Sequence, residues 1–373
     1  MAEKRYKDPS ATRQMSLAKW LKLSLFAILF VTLLKGFGQS STNVLGLGGT
    51  TTSSSKKKKK RAPFHRDKSK PKQDLKIAFV GNSMLFYNDS PGLLVRMLEE
   101  SGKYDVTYEA CMDGGAALST SWLPDGCNPT LTIGADETMS LQKLFDYYPS
   151  SSSGGQQQPQ PQQQWDYVIL QDHSRAPTIP QSHEYTMIVL REKYAPAIWN
   201  VGATPILLQT AAYRLDNPEL GTFEEYTQLL HQGYQMYAKV VTETLLSLLG
   251  QSSKKNSKPS SNNKQQASTK ALVSPVGDAY ALVKQRNEGL WEQLYMADGE
   301  HPSALGTWLQ VCVLYATMLH EEPPTYDPIF WKTGPGRSRT AERLPTHKEA
   351  TELWKIALMA TDIMDEQSYV DHS

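Results

Sequence analysis

Lys76-Ile77-Ala78-Phe79-Val80-Gly81-Asn82-Ser83 decides the fold. From Ile77 to Val80 every side chain is apolar, and the run stops at a glycine followed by two small polar residues. A strand apolar on both faces is buried on both faces, which points to a parallel sheet covered by helices. Working outward, strand-like runs recur at Asp105–Ala110, Tyr167–Leu170, Pro205–Thr210 and Ala271–Val276. Helical patterns separate or follow them at Gly92–Ser101, Met139–Tyr147, His183–Trp199, Phe223–Leu249, Ser303–His320 and His347–Met364. This alternation predicts an α/β domain with a parallel five-stranded sheet and helices on both faces. In such sheets a ligand binds beyond the carboxyl ends of the strands.

The chain has 373 residues, of which the ordered part amounts to about one ordinary domain. Residues 1–22 are polar and basic, carrying Lys4, Arg5, Lys7, Arg13, Lys19 and Lys22. An apolar stretch follows over 23–35 and, extended back to Leu17, approaches the roughly 17-residue lower limit for a spanning helix. The charged head is long for a signal peptide and no clean Ala-x-Ala site follows. An uncleaved signal anchor is therefore expected, giving a single-pass type II membrane protein of the secretory pathway (Golgi or ER lumen) with residues 1–22 in the cytosol. A secreted chain with a cleaved signal peptide is the competing expectation. Residues 36–74 read as a disordered Ser/Thr/Lys-rich stem. The folded domain spans 75–330, with low-complexity inserts at 149–164 and 251–270 read as surface loop expansions. Residues 331–373 form a C-terminal extension with a packing helix.

Formal net charge is +1. The basic run Lys56 to Arg61 has no aromatic interleaving, so no nucleic-acid partner is expected. No Cys-x-x-Cys or paired-His spacing occurs, and neither metal nor cofactor is expected. Cys111 and Cys127 flank a short loop and are placed to pair if the domain faces an oxidising lumen; Cys312 reads as a buried thiol.

Three segments carry the candidate chemistry. Ser83 follows the first strand directly, where a hydroxyl can be presented in the crevice; a turn serine or helix cap is the competing reading. Position 85 is Leu, so this is not the Gly-x-Ser-x-Gly elbow. Gly114-Gly115 ends the second strand, where a backbone N–H can approach an oxyanion; most such pairs are simple turns. Asp298-Gly299-Glu300-His301-Pro302 opens a helix. Asp and His three apart can face one another, so that the carboxylate fixes the imidazole tautomer and leaves the other nitrogen to take a proton. The same residues also fit a capped helix start with Pro in the first turn.

With these residues in view, Lys76 to about Pro324 resembles the SGNH (GDSL-type) hydrolase superfamily. The likeness is to a branch with Gly-Asn-Ser in the first block (81–83), Gln-x-x-Ser in the third (Gln171-Asp172-His173-Ser174) and Asp-Gly-x-His-Pro-Ser in the last (298–303). Trp165–Leu170, Tyr226–Tyr234 and Ser274–Gly277 also match. The resemblance implies a three-layer α/β/α, flavodoxin-like domain. It also implies that Ser83 is the nucleophile, His301 the general base and Asp298 its orienting partner, with Ser83 and Gly115 N–H as oxyanion donors and Gly114 as a substitute. Two departures stand out. Most of the superfamily has Asp where Asn82 stands, and an oxyanion-hole Asn in the third block, where this chain offers His173 or Gln171. A charged His173 would be the stronger donor and would add an acid limb to the pH–rate profile.

The resulting expectation is a membrane-anchored serine esterase or deacetylase acting on short-chain O-acyl esters. The substrate would be an acylated carbohydrate, with O-acetyl groups first, or a small ester. O-acyl transfer to glycans would use the same residues, and a catalytically silent membrane-tethered binding protein is the rival of a different class. His183 and His231 read as surface or satisfied histidines, Arg175 as a loop residue, and Trp291, Tyr295 and Trp308 as core. Asn88-Asp89-Ser90 matches a glycosylation acceptor only formally, because Pro91 follows.

Overall fold

The computed structural model describes residues 71–123, 126–128, 130–131, 141–145, 165–255, 268–331 and 343–364. Residues 1–22, the 23–35 segment expected to be an anchor, the insert at 149–164 and nearly all of the 36–74 stretch expected to be a stem lie outside them. Among the described residues no helix is long and apolar enough to cross a membrane.

Five strands make one sheet: β1 (Gln73–Gly81), β2 (Tyr104–Met112), β3 (Tyr167–Leu170), β4 (Thr204–Leu208) and β5 (Leu272–Ser274), in the order β2-β1-β3-β4-β5. Every pairing is parallel. The fold is thus the α/β arrangement expected from the alternation. β1 begins at Gln73, inside the stretch assigned to the stem, because its backbone pairs with Tyr104 at the sheet edge. The central strands β1, β3 and β4 are buried along their apolar runs, whereas the edge strand β2 is half-buried or exposed until its last three residues, Ala110 to Met112, which are buried.

The helices are α1 (Ser83–Phe86), α2 (Ser90–Glu100), α3 (Leu118–Ser121), α4 (Leu141–Leu144), α5 (Pro180–Val189), α6 (Ala195–Val201), α7 (Phe223–Lys255), α8 (Val276–Arg286), α9 (Glu288–Glu292), α10 (Ala304–Leu319) and α11 (His347–Ala360). One layer packs α2, α8, α10 and α11 together; the other packs α3, α5, α6 and α7. The single helix read over His183–Trp199 is instead α5, a π-turn at Leu190–Tyr194, and α6. Pro196 explains the break: it has no N–H to give and its ring needs the wider turn. α7 runs on to Lys255, into the tract expected to be loop from 251. The strand read over Ala271–Val276 ends at Ser274, and α8 starts at Val276 behind Pro275. α11 packs on α10 and α8, so the C-terminal extension completes the helical layer. Its capping box, Thr346 with Glu349, sets where it starts.

Cys111 and Cys127 are disulfide-bonded, with Cα atoms 4.9 Å apart, and Cys312 is a buried free thiol. The bridge closes the base of the loop that leaves β2.

The chain enters at β1, steps to β2 on one side, and returns to β3 on the other. The crevice at that reversal, beyond the ends of β1 and β3, is where an open sheet of this order offers a site.

Candidate active site

β1 ends at Gly81, which is closely enclosed. A Cβ there would stand 2.7 Å from both Gln171 Oε1 and Leu85 Cδ1. Asn82 then leaves the strand in an extended conformation and caps α1, its Oδ1 accepting from Met84 N at 3.1 Å. Ser83 is the first residue of α1. Its N–H has no partner among the described residues, as expected for a first-turn amide.

On the far side, Asp298 to His301 form a tight turn about Gly299, whose φ of +73° suits glycine. Met296 N–H donates to His301 O at 2.8 Å, and Ser303 caps α10 through Leu305 N and Gly306 N. Within this frame Asp298 Oδ1 accepts the N–H of Glu300 (2.9 Å) and of His301 (3.0 Å). Asp298 Oδ2 lies 2.7 Å from His301 Nδ1, and His301 Nε2 lies 2.9 Å from Ser83 Oγ. Burial pushes the Asp298 carboxyl up, but the amides of Glu300 and His301 and the His301 ring outweigh it and hold the group below its usual range. An ionised Asp298 can only accept. Nδ1 therefore carries the ring proton, and Nε2 is free to take the hydrogen of Ser83. The Tyr87 ring packs against His301, centroids 4.5 Å apart.

Ser83, His301, Gly115 and His173 line one cleft of about 240 Å³, together with Asn82, Met84, Ser174, Tyr213 and Glu300. Gly115 sits at φ +68°, and its N–H has no partner among the described residues. Asn82 Nδ2 holds this loop by donating to Ala116 O at 2.8 Å, and reaches Asp172 O at 3.4 Å. A carboxylate at position 82 could cap α1 but could not donate to two carbonyls, which accounts for Asn rather than Asp at this position.

Two expected oxyanion donors are corrected. Gly114 does not line the cleft, and its N–H is taken by Asp113 Oδ1 at 2.8 Å. Gln171 is fully buried: its Oε1 accepts Asn82 N–H at 2.9 Å and its Nε2 turns to Asp172 O. Its carboxamide braces the nucleophile turn from beneath and does not line the cleft. His173 does face the cleft. Its Nδ1 accepts Arg175 N–H at 3.2 Å, so in the neutral ring Nε2 carries the hydrogen.

No protein-family model matches the chain, and no curated protein matches it. Three solved structures are similar in shape. A candidate SGNH hydrolase from Slackia heliotrinireducens shares 20% identity over 66% of this chain and 100% of its own, with a TM-score of 0.41. A DUF4886 family protein from Bacteroides uniformis shares 17% over 77% and 95%, with a TM-score of 0.48. A gut microbial diltiazem-metabolizing enzyme shares 11% over 67% and 47%, with a TM-score of 0.31. None of the three is close enough to bear on the chemistry.

Further contacts around the third block complete the site. Asp172 is wholly buried and accepts four donors: Leu118 N and His173 N at 2.8 Å on Oδ1, and Tyr237 Oη (3.0 Å) and Thr186 Oγ1 (3.1 Å) on Oδ2. Burial pushes its carboxyl up, and those four bonds offset part of the rise. It joins the loop after Gly115 to the third block. Tyr213 Oη and Ser174 Oγ are 2.8 Å apart at the cleft wall. The third block marks Asp172 and Ser174 in the sequence but not these contacts, because most of their partners come from distant segments.

The remaining candidates stay away from the cleft. His183 is buried and stacks on Tyr237; His231 pairs with Asp278 at 2.8 Å; Arg175 pairs with Glu219. Trp291, Tyr295 and Trp308 are core residues, Tyr295 donating to Ala212 O and Trp308 to Ala350 O. Among the described residues no group of three His, Cys, Asp or Glu side chains could hold a metal ion.

Proposed function

We propose that this chain is a serine ester hydrolase in which Ser83, His301 and Asp298 act as nucleophile, general base and orienting carboxylate. The observation that carries the reading is the unbroken relay Asp298 Oδ2–His301 Nδ1, His301 Nε2–Ser83 Oγ, at 2.7 and 2.9 Å, opening on the same cleft as the backbone N–H groups of Ser83 and Gly115, which have no partner among the described residues. Ser83 Oγ attacks the ester carbonyl as its proton passes to His301 Nε2. The oxyanion is received by the N–H groups of Ser83 and Gly115. His301 returns the proton to the leaving alcohol, and water, activated by the same ring, releases the acid from the acyl-enzyme.

The cleft is small and its walls are polar, with His173, Ser174, Tyr213 and Glu300 around the nucleophile. That favours a short acyl group on a hydroxyl-rich alcohol, so O-acetylated carbohydrate is the proposed substrate. The disulfide between Cys111 and Cys127 suits an oxidising compartment. With the apolar segment at 23–35, it supports a membrane-anchored, lumen-facing enzyme.

The test is fluorophosphonate labelling of the full chain beside Ser83→Ala, followed by turnover of short-chain aryl acetates and acetylated sugars beside His301→Ala. Labelling that disappears in Ser83→Ala, with acetate released from the sugars by wild type alone, is the expected result. Equal labelling of both proteins would overturn the reading. Acetate passed to a second glycan faster than to water would move the activity from hydrolysis to transfer.

A further inference from the structure

The segment after the nucleophile holds an unusual backbone. Asn88 (φ 55°, ψ 18°) and Asp89 (φ 54°, ψ 51°) both lie in the left-handed region. Two successive non-glycine residues there are disfavoured sterically, and Asn and Asp are the side chains that tolerate it best. Such strain persists only where surrounding contacts impose it.

Those contacts are visible. Asn88 Nδ2 donates to Pro302 O at 3.1 Å and to Thr307 Oγ1 at 3.0 Å. Pro302 follows the proposed base directly, and Thr307 lies in the first turns of α10. Gln310, one turn further along α10 and buried, donates to Met84 O at 3.2 Å and to Ser90 Oγ at 2.8 Å. Tyr87, next to Asn88, packs on the His301 ring. The short stretch from Ser83 to Ser90 is thus gripped at Met84, Asn88 and Ser90 by the segment that carries His301. The sheet does not fix this relationship by itself: Ser83 rides on the end of β1, whereas His301 sits in a turn between α9 and α10 that belongs to no strand.

We infer that Asn88 is a positioning residue that sets the Ser83–His301 distance, an inference that rests on the serine-hydrolase reading above. Its left-handed backbone carries the amide to the base loop, and its two donated bonds tie nucleophile segment and base segment at a point five residues past Ser83 and one past His301. The same bonds leave no room for a glycan on Asn88 in the folded chain, although the sequence there has the acceptor pattern.

Asn88→Gly keeps the left-handed backbone and removes the tie. Asn88→Asp keeps backbone and shape but sets a carboxylate oxygen against the Pro302 carbonyl. A misplacement near 1 Å costs about 10²-fold in rate, so both variants are expected to lower the fluorophosphonate acylation rate of the full chain by about 10–100-fold. A general loss of fold would also slow a chain that lacks the base. The decisive measurement is therefore a double-mutant cycle with His301→Ala: there Asn88→Gly is expected to cause no further loss, because the distance it sets no longer matters. Equal losses in both backgrounds, or a wild-type rate in Asn88→Gly, would overturn the inference. Where the Asn88 variants do not fold, Thr307→Val removes one acceptor at nearly constant shape, and the same cycle applies with a smaller expected loss of about 3–10-fold. Labelling that does not depend on Ser83 at all would overturn the hydrolase reading and this inference with it; Ser83-dependent labelling indifferent to Asn88 and Thr307 would overturn this inference alone.

Discussion

Asp298 gives its two carboxylate oxygens different work: Oδ1 takes the N–H groups of Glu300 and His301, and Oδ2 alone faces His301 Nδ1. In Asp298→Asn the two backbone donors draw the carboxamide oxygen to the Oδ1 place and leave the NH₂ group facing Nδ1. The ring must then accept there and carry its hydrogen on Nε2, the nitrogen that should receive the Ser83 proton. Removal of the orienting carboxylate through the wrong tautomer costs about 10⁴ in the well-studied serine proteases. Here Asp298 is part exposed and a loss of about 10³ in kcat with little change in KM is expected. Steady-state kinetics on an aryl acetate checks it, and a variant within tenfold of wild type would remove Asp298 from the relay.

Gly81→Ala tests the turn rather than the chemistry. The new methyl group would meet Gln171 Oε1 and Leu85 Cδ1 at 2.7 Å, and Gln171 cannot yield without dropping Asn82 N–H. Overpacking of this kind costs about 1–3 kcal/mol, read as a lowered midpoint in urea. Turnover is expected to fall as well, since Asn82 caps the helix that opens with Ser83. An unchanged midpoint would show that the strand end has slack.

These two sites also show what could be read without coordinates. The strand ending at Gly81-Asn82-Ser83 and the Asp298–His301 spacing are local patterns, each complete within a few residues, and the sheet they predict is the sheet that forms. β2, read over Asp105–Ala110, runs from Tyr104 to Met112. α8 was missed because Pro275 supplies no side-chain cap and Val276 prolongs the apparent strand. Gln171 and Gly114 were misassigned for one reason: sequence position fixes where a residue lies, not whether its donors are already engaged. The contacts made by Asp172, Asn88 and Gln310 are not legible in the sequence, since nearly all of their partners lie between 14 and 226 residues away.

The disulfide predicts a redox dependence. Cys111 and Cys127 are 16 residues apart in sequence and enclose Gly115. In the loop-entropy account a closure of this size is worth about 3 kcal/mol. Reduction under native conditions is expected to lower the unfolding midpoint and also kcat, because Gly115 loses its tether. Denatured without reductant the chain should show one free thiol, Cys312, and after reduction all three cysteines. Three thiols before reduction would mean that the bridge does not form.

Asp172 separates charge from hydrogen bonding. In Asp172→Asn the carboxamide oxygen can keep Leu118 N–H and His173 N–H, while NH₂ donates to the hydroxyls of Thr186 and Tyr237, which can rotate to accept. Asp172→Ala leaves two buried backbone donors unmet and is expected to cost about 2–5 kcal/mol. The pH dependence has a definite sign. Burial raises the folded pKa above the usual 3.8, so the stability linked to the protonated form is present below that value and is lost as pH rises through the folded pKa. Across that window wild type should weaken relative to Asp172→Asn. Urea midpoints of both proteins at several pH values check this, and a difference moving the other way would mean that the buried carboxylate is stabilised as an ion.

His173 is the last donor to place. Arg175 N–H occupies its Nδ1 at 3.2 Å, so the neutral ring offers an Nε2–H, and the ring shares the cleft with Ser83 and Gly115. The developing oxyanion would then meet two backbone donors and one imidazole donor, where the resemblance had implied an asparagine. Loss of one such donor costs about 10²–10³ in kcat, and His173→Ala is expected at the low end because the cleft admits water. His173→Gln presents an NH₂ group from a similar length of side chain and should recover part of the loss, with KM nearly constant throughout. A His173→Ala variant with wild-type kcat would leave the hole to the two backbone amides.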